Sequence, residues 1–442
     1  MRFALATLGC KVNQYDSAII ETRLGALGME RCAFDQPADV YIVNTCTVTD
    51  RADSESLRLA RRARRLNPAA RVIMTGCLAQ ASPEVLADAH EVDAVVGLGR
   101  LGDLERAVVS IPEARVMVTN LRKQRAEIEL DAVALEGHTR AFLKVQEGCD
   151  QFCTFCIVPF SRGSSRSVEP RRIIATLDRM CERGFKEVIL TGVHLGGYGK
   201  DLEPPINLEA LLEIMAERAP LTRIRLSSLD PEELSDRIIT TVAGSPKFCP
   251  HFHLPLQAGE NWLLARMRRR YTVEDYRARV ERVLAAMPAA AIGTDLIAGF
   301  PGESAIQFEN YLKFVENLPL AYFHVFPYSV RAGTTAAKLK GRLAAPEVKH
   351  RAQVLRELGE AKKRAFAARF TGHKLRVLVE ERAVDGRLSG YSRNYIRVRL
   401  DGPNQLINQE IEVEASFVQG ASLVGQITRA HATAIAGETR PA

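Results

Sequence analysis

Over the first 110 residues, apolar runs with strand character alternate with stretches of helical periodicity: "FALATLG" and a helix from Asp16, "VYIVNT" and a helix through Leu66, "RVIMTG" and a helix from Ser82, then "DAVVG". Strand alternating with helix predicts a doubly wound parallel sheet over residues 1–112. Residues 113–139 are polar and weakly patterned, and read as a linker. From Arg140 the alternation resumes with "AFLKVQ", "EVILTG", "RIRLSS", "HFHLPL", "IGTDLIAGF" and "YFHVFPYS". Six strand-helix units predict an open, partial β/α barrel over residues 140–370, ending in a long helix from Pro346 to about Phe370. Beyond it, short alternating strands with turns at Asp385-Gly386, Asp401-Gly402 and Gly420 predict a small β-barrel over residues 371–436. The fold class is α/β with this all-β addition.

A chain of 442 residues needs several cores, and 46% apolar with 26% charged residues is a globular composition. No window reaches the 18 or so uninterrupted apolar residues of a membrane helix. The start, "MRFALATLGCK", has an apolar run too short for a signal peptide, so it is expected to be the first strand of a cytoplasmic protein. In the cytosol thiols stay reduced, and the nine cysteines then read as metal ligands or catalytic groups. The net charge of +7 is concentrated in two acid-free stretches. "RLARRARRLNPAAR" has six arginines and suits a solvated helix face as well as a nucleic acid. "GRLSGYSRNYIRVRL" interleaves Tyr391 and Tyr395 with Arg393, Arg397 and Arg399, a combination that suits stacking on bases and gripping of a phosphate backbone.

Three cysteines, Cys149, Cys153 and Cys156, form a C-x3-C-x2-C run at the end of the first barrel strand, the rim where such barrels hold their chemistry. Structural zinc asks for four ligands, typically from two C-x2-C pairs, and there is no second pair. Three close thiols without a local fourth suit an iron-sulfur cube with one iron left open. Cys10, Cys46 and Cys77 each follow one of the first three strands. They therefore share the carboxyl edge of the sheet, where ligands bind in open α/β folds. Cys32, Cys181 and Cys249 fit neither group and read as structural. "GLGRLG", Gly97 to Gly102, matches G-x-G-x-x-G but lacks the later acidic residue, and reads as a strand-to-helix turn.

The C-x3-C-x2-C spacing, with Phe155 before its last cysteine, resembles the radical S-adenosylmethionine superfamily. Together with the Cys10, Cys46, Cys77 set, the terminal β-barrel and the stretches "IVNTCTVT", "HLPLQAGENWLLARMRRRYT", "GTDLIAGFPGE" and "FHVFPYSVRAGT", it resembles the methylthiotransferase family over nearly the whole chain. Ala258-Gly259-Glu260 departs from that family's Ser-Gly-Ser. The resemblance implies two 4Fe-4S clusters, one on each triad, with S-adenosylmethionine as both methyl donor and source of a 5′-deoxyadenosyl radical. It places Phe155 near the adenine, with the backbone around Gly192, Gly196 and Gly197 near the amino acid portion. His194 is then a proton relay or a structural residue, and Asp230, with Glu232, a ribose contact or a helix cap. The terminal barrel is expected to resemble the TRAM RNA-binding module.

"TLGCKVNQYDS" and "LTGVHLGGYGKD" look most like the branch that adds a methylthio group to C2 of N6-threonylcarbamoyladenosine at position 37, beside the tRNA anticodon. The implied partners are the anticodon loop and an electron donor such as flavodoxin or ferredoxin, with no membrane. The alternatives are the isopentenyladenosine branch, the ribosomal protein methylthiotransferases, and a non-catalytic iron-sulfur RNA-binding protein.

Overall fold

The computed structural model describes residues 1–110, 113–123, 127–130, 139–221 and 223–428. The amino-terminal sheet contains β1 (Arg2–Thr7), β2 (Glu30–Cys32), β3 (Val40–Thr45), β4 (Arg71–Gly76), β5 (Ala94–Val96) and β6 (Val116–Met117). Its order is β2-β1-β3-β4-β5-β6, with every pair parallel. Helices cover both faces, which is why β3 is buried at all six positions, its polar Asn44 and Thr45 included. The first helix begins at Lys11, earlier than its periodicity suggested, because Cys10 is already its amino-terminal cap.

The middle domain contains β7 (Arg140–Glu147), β8 (Arg166–Ser167), β9 (Glu187–Gly192), β10 (Ile224–Leu226), β11 (His251–His253), β12 (Ala291–Ala298) and β13 (Tyr322–Pro327). Two sheets, β10-β9-β7-β8 and β11-β12-β13, are joined by the parallel bridges Ile224↔Phe248 and Ser228↔His253. Six parallel strands thus curve into an open barrel, as the sequence predicted, and the short β8 adds an antiparallel edge beside β7. The helix Ala345–Ala368 packs along β13 and leads to the last domain.

The terminal strands β14 (Lys374–Arg382), β15 (Leu388–Ser392), β16 (Arg397–Leu400), β17 (Glu410–Gln419) and β18 (Ser422–Ile427) close into a barrel in the order β14-β15-β16-β18-β17. Its core continues into Ala291 and Ala321 at the start of the middle domain's strands and into Phe366 and Phe370, so this barrel plugs the amino-terminal end of the partial barrel.

The expected linker, residues 113–139, is a correction. Val116–Met117 extends the first sheet beyond its predicted limit at residue 112, and Ile128 and Leu130 are buried in the core of the middle domain. Short β pairing and two isolated apolar contacts leave too little periodicity to be read. Residues 111–112, 124–126 and 131–138 of that stretch, and residues 429–436 of the expected terminal barrel, lie outside the described residues.

Candidate active site between two cysteine triads

β1, β3 and β4 are neighbours in the sheet, and the pairing of Thr45 with Gly76 makes Cys46 and Cys77 the next residues of adjacent strands. Cys10 caps the helix that follows β1. Two glycines allow the loops to close. A side chain on Gly9 (φ +96°) would lie 2.8 Å from Cys46 Sγ, and one on Gly76 (φ +92°) 2.5 Å from the Thr45 carbonyl oxygen. Asn13 ties the loops together by donating from Nδ2 to the carbonyls of Leu8 (2.7 Å) and Thr45 (2.8 Å) while its Oδ1 faces Cys77 Sγ at 3.7 Å. Thr45 Oγ1 accepts the amides of Leu78 and Ala79 at 3.1 and 3.3 Å, which fixes the turn carrying Cys77.

The second triad is shaped by one loop. Gly148 (φ +75°) turns the chain out of β7, and the Cys149 amide donates to the Gly163 carbonyl at 3.0 Å. Thr154 pins the loop to the chain near Met267 through its amide and its hydroxyl (3.1 and 2.8 Å). Arg269 donates to Cys153 Sγ at 3.1 Å and pairs with Asp230.

Burial pushes the thiols of Cys77, Cys149 and Cys156 up to about 12. Cys46 and Cys153 are raised by burial as well. Within each triad the cysteines oppose one another's ionisation, with Cys10 and Cys46 acting on Cys77 and Cys149 and Cys153 on Cys156. Such thiols give up protons to a bound cation, with Arg162 beside Cys77 and Arg269 beside Cys153 offsetting the charge. The donor sets fit iron-sulfur clusters.

The two halves are joined by a buried ionic network. Arg162, from the helical turn after Cys156, is 2% exposed. It reaches Cys77 Sγ at 3.3 Å, Glu147 at 2.6 Å and Asp16 at 2.9 Å, and also Asn13. Lys144 bridges Asp16 and Glu147. The sequence reading missed this network. Its signal was charged Lys144 and Glu147 on a barrel strand whose last five residues are all buried.

A cavity of about 190 Å³ lies beside Cys156, lined by Phe155 and Cys156, by Val48 and Thr49 of the amino-terminal domain, and by Asp295 and Arg331. Arg331 holds the domains together by pairing with Asp53 at 2.5 Å and with Asp50. Asp295 lies between His253 (3.3 Å) and His324 (3.0 Å). Exposed Val48, Phe160, Phe326 and Val330 surround this region with apolar surface.

On the other side of the Cys149–Cys156 loop, His194 Nε2 is 2.7 Å from Glu233 and 3.1 Å from Gln151. Burial disfavours its charge, yet the Glu233 hydrogen bond and carboxylate, with Asp230, raise it above the usual imidazole value. Asp230 makes no cap hydrogen bond to the short helix it precedes, because its carboxylate is engaged by Arg269. A side chain at Gly192, Gly196 or Gly197 would collide with Gln146, Glu233 or His194, so the lack of a Cβ at these positions lets those polar side chains close on the strand end. Buried Oε2 atoms of Glu232 and Glu233 lack partners, which fits an ammonium or a ribose hydroxyl of S-adenosylmethionine.

In the tyrosine and arginine cluster, half-buried Tyr391 and Tyr395 stack at 4.9 Å, with Arg140 over Tyr391, Arg225 over Tyr395, and the Tyr395 ring 4.6 Å from His251. Arg393 pairs with Glu410 at 2.9 Å. Tyr395 lies in the turn after β15 at φ +64°, and the alternation holds through it, with positions 391, 393, 395, 397 and 399 half-buried and those between them buried. Arg397 and Arg399 stay near the surface, paired with Glu381 (2.6 Å) and Asp385 (3.0 Å).

The uncharacterized protein family UPF0004 matches residues 2–97 and the Radical SAM superfamily matches residues 143–315. The threonylcarbamoyladenosine tRNA methylthiotransferase MtaB of Bacillus subtilis is 37% identical over 421 residues, 93% of each chain. The chain belongs to the radical S-adenosylmethionine methylthiotransferases. A tRNA-2-methylthio-N(6)-dimethylallyladenosine synthase of Clostridium novyi is 33% identical over 438 residues, 96% of each chain. Among solved structures, the radical S-adenosylmethionine methyltransferase TsrM of Kitasatospora setae shares the fold, with a TM-score of 0.54 and 17% identity over 74% of this chain and 76% of its own. As a member of this family the enzyme uses S-adenosylmethionine and two 4Fe-4S clusters.

Proposed function

We propose that the enzyme adds a methylthio group to C2 of N6-threonylcarbamoyladenosine at position 37 of tRNA. The observation that carries this reading is a pair of cysteine triads, one on each domain and connected through Arg162, in a chain 37% identical to a threonylcarbamoyladenosine enzyme over 93% of its length. Cys149, Cys153 and Cys156 hold one cluster, and Cys10, Cys46 and Cys77 hold the auxiliary one. When bound, the clusters and S-adenosylmethionine supply the methyl, sulfur and one-electron chemistry.

The chain's residues provide the setting. Arg269 and Arg162 offset thiolate charge at the two triads. Glu233, Asp230 and His194 form the polar wall that receives S-adenosylmethionine. Phe155 borders the cavity, and the apolar rim of Val48, Phe160, Phe326 and Val330 gives a splayed anticodon-loop base a surface to stack on. Arg397 and Arg399, on the terminal barrel, meet the RNA backbone. No described helix is long and apolar enough to cross a membrane. The enzyme works in the cytoplasm with an electron donor of the flavodoxin or ferredoxin type.

Mass spectrometry of tRNA nucleosides from cells lacking the chain and from complemented cells tests the reading. Loss and return of 2-methylthio-N6-threonylcarbamoyladenosine is the expected result. Loss of the isopentenyl counterpart reassigns the substrate, and an unchanged profile rejects tRNA as the acceptor.

A further inference from the structure

The lumen of the partial barrel holds polar groups that the site above leaves without partners. Lys11 opens the first helix, one residue past Cys10, and its side chain lies within electrostatic reach of Arg140, Glu187, Arg225, His251 and Asp295. Those residues stand on β7, β9, β10, β11 and β12, and the first helix packs against β7 and β9.

The other charges there are matched. Arg140 pairs with Glu380 at 2.6 Å, Arg225 with Glu187 at 2.8 Å, and Asp295 with His253 and His324. Lys11 makes no hydrogen bond or ion pair among the described residues. Two buried polar atoms nearby are also unpartnered among the described residues, His251 Nδ1 on β11 and Ser227 Oγ immediately after β10, two residues beyond Arg225. His251 is 1% exposed and places its Nε2 2.8 Å from the Tyr322 hydroxyl, leaving Nδ1 for a ligand.

A partly buried ammonium with no hydrogen bond or ion pair among the described residues, within electrostatic reach of a His251 imidazole whose Nδ1 is unpartnered, is a site lacking its anion. We propose that Lys11 binds the carboxylate of an amino acid arm on N6 of the target adenosine, with Ser227 and His251 meeting the arm's hydroxyl and carbamoyl groups. This rests on the tRNA reading above and deepens it. A threonylcarbamoyl arm offers a carboxylate, a hydroxyl and a carbamoyl group. A dimethylallyl arm offers none of these and strips water from Lys11 without replacing it, so the same residue attracts one substrate and rejects the other.

The test uses anticodon stem-loops carrying threonylcarbamoyladenosine, its carboxylate methyl ester, or plain adenosine. They are titrated by fluorescence anisotropy into cluster-reconstituted wild type, Lys11→Gln and Lys11→Arg. Wild type is expected to prefer the acid to the ester by about tenfold or more, the worth of one charged hydrogen bond. Lys11→Gln is expected to lose that preference while binding the ester as wild type does, and Lys11→Arg to keep most of it. Iron content and visible absorption of each protein report cluster loading separately. A Lys11→Gln protein that keeps the acid preference overturns the assignment and leaves the tRNA reading intact. The same holds if Lys11→Gln keeps that preference but loses auxiliary iron, which assigns the ammonium to the cluster. A wild-type acid-to-ester ratio near one overturns the assignment without any variant, and wild type that fails to distinguish threonylcarbamoyladenosine from adenosine overturns the tRNA reading as well.

Discussion

Cys149, Cys153 and Cys156 are arranged by one loop whose own hydrogen bonds, from the Cys149 amide to Gly163 and from the Cys156 amide to the Cys153 carbonyl, set their spacing. Cys10, Cys46 and Cys77 belong to three strand ends and meet only because β1, β3 and β4 pair in register. The first set depends on local geometry, so its sensitivity lies in the loop and in Thr154 and Arg269, which hold it. The second depends on the whole sheet, on two glycines with positive φ, and on Asn13 spanning the loops. Arg162 connects them, since it is carried by the loop of one set and touches a sulfur of the other.

The contrast is tested most severely by removing one ligand from each set. Cys153→Ala is expected to abolish formation of 5′-deoxyadenosine, whereas Cys77→Ala is expected to retain it and lose methylthio transfer. Both products are measured by mass spectrometry, and normal transfer by Cys77→Ala would refute the auxiliary-cluster assignment. Gly196→Ala probes the wall beside the local triad. Its added methyl would sit 1.9 Å from the Glu233 carboxylate and displace it, for an expected loss of about 10²-fold in S-adenosylmethionine cleavage with the iron content unchanged.

Arg162→Met addresses the connection. It leaves Glu147 buried with one cation fewer and is expected to cost about 3–5 kcal/mol, read as a lower denaturation midpoint, because an uncompensated buried charge is left behind. A smaller effect, away from both triads, separates domain docking from cluster chemistry. Burial alone would raise the Glu187 carboxyl, but Arg225 and Arg223 outweigh it and hold the group at about 2 against an ordinary 4.5. A folded value below the unfolded one gives stability that is complete above about 4.5 and is lost as pH falls toward about 2. Glu187→Gln should flatten that part of the acid denaturation curve.

Much of this architecture was legible. The strand-helix alternation, the six barrel strands, the terminal barrel and both cysteine sets follow from periodicity and position. Val116–Met117 and Arg166–Ser167 were not legible, because two-residue strands have no period to detect. The half-buried alternation of Tyr391, Arg393, Tyr395, Arg397 and Arg399 was legible, whereas their partners Glu410, Glu381 and Asp385 and the Arg140 and Arg225 guanidiniums over the two rings were not, because those contacts come from other segments. The glycines of "LTGVHLGGYG" suggested a ligand, and sequence cannot say whether a ligand or Glu233 fills the space.

By itself, the sequence determined what is local: the C-x3-C-x2-C loop, whose spacing is a property of consecutive residues, and the succession of strands and helices, which is a property of hydrophobic period. Only the tertiary structure decided what depends on contacts across the chain. It brought Asn13 and Arg162 to Cys77, placed Glu233 over Gly196 and against His194, and set Lys11 of the first helix within electrostatic reach of strands that begin more than a hundred residues later. Such contacts are fixed by packing and charge pairing between distant segments, and no local pattern encodes them.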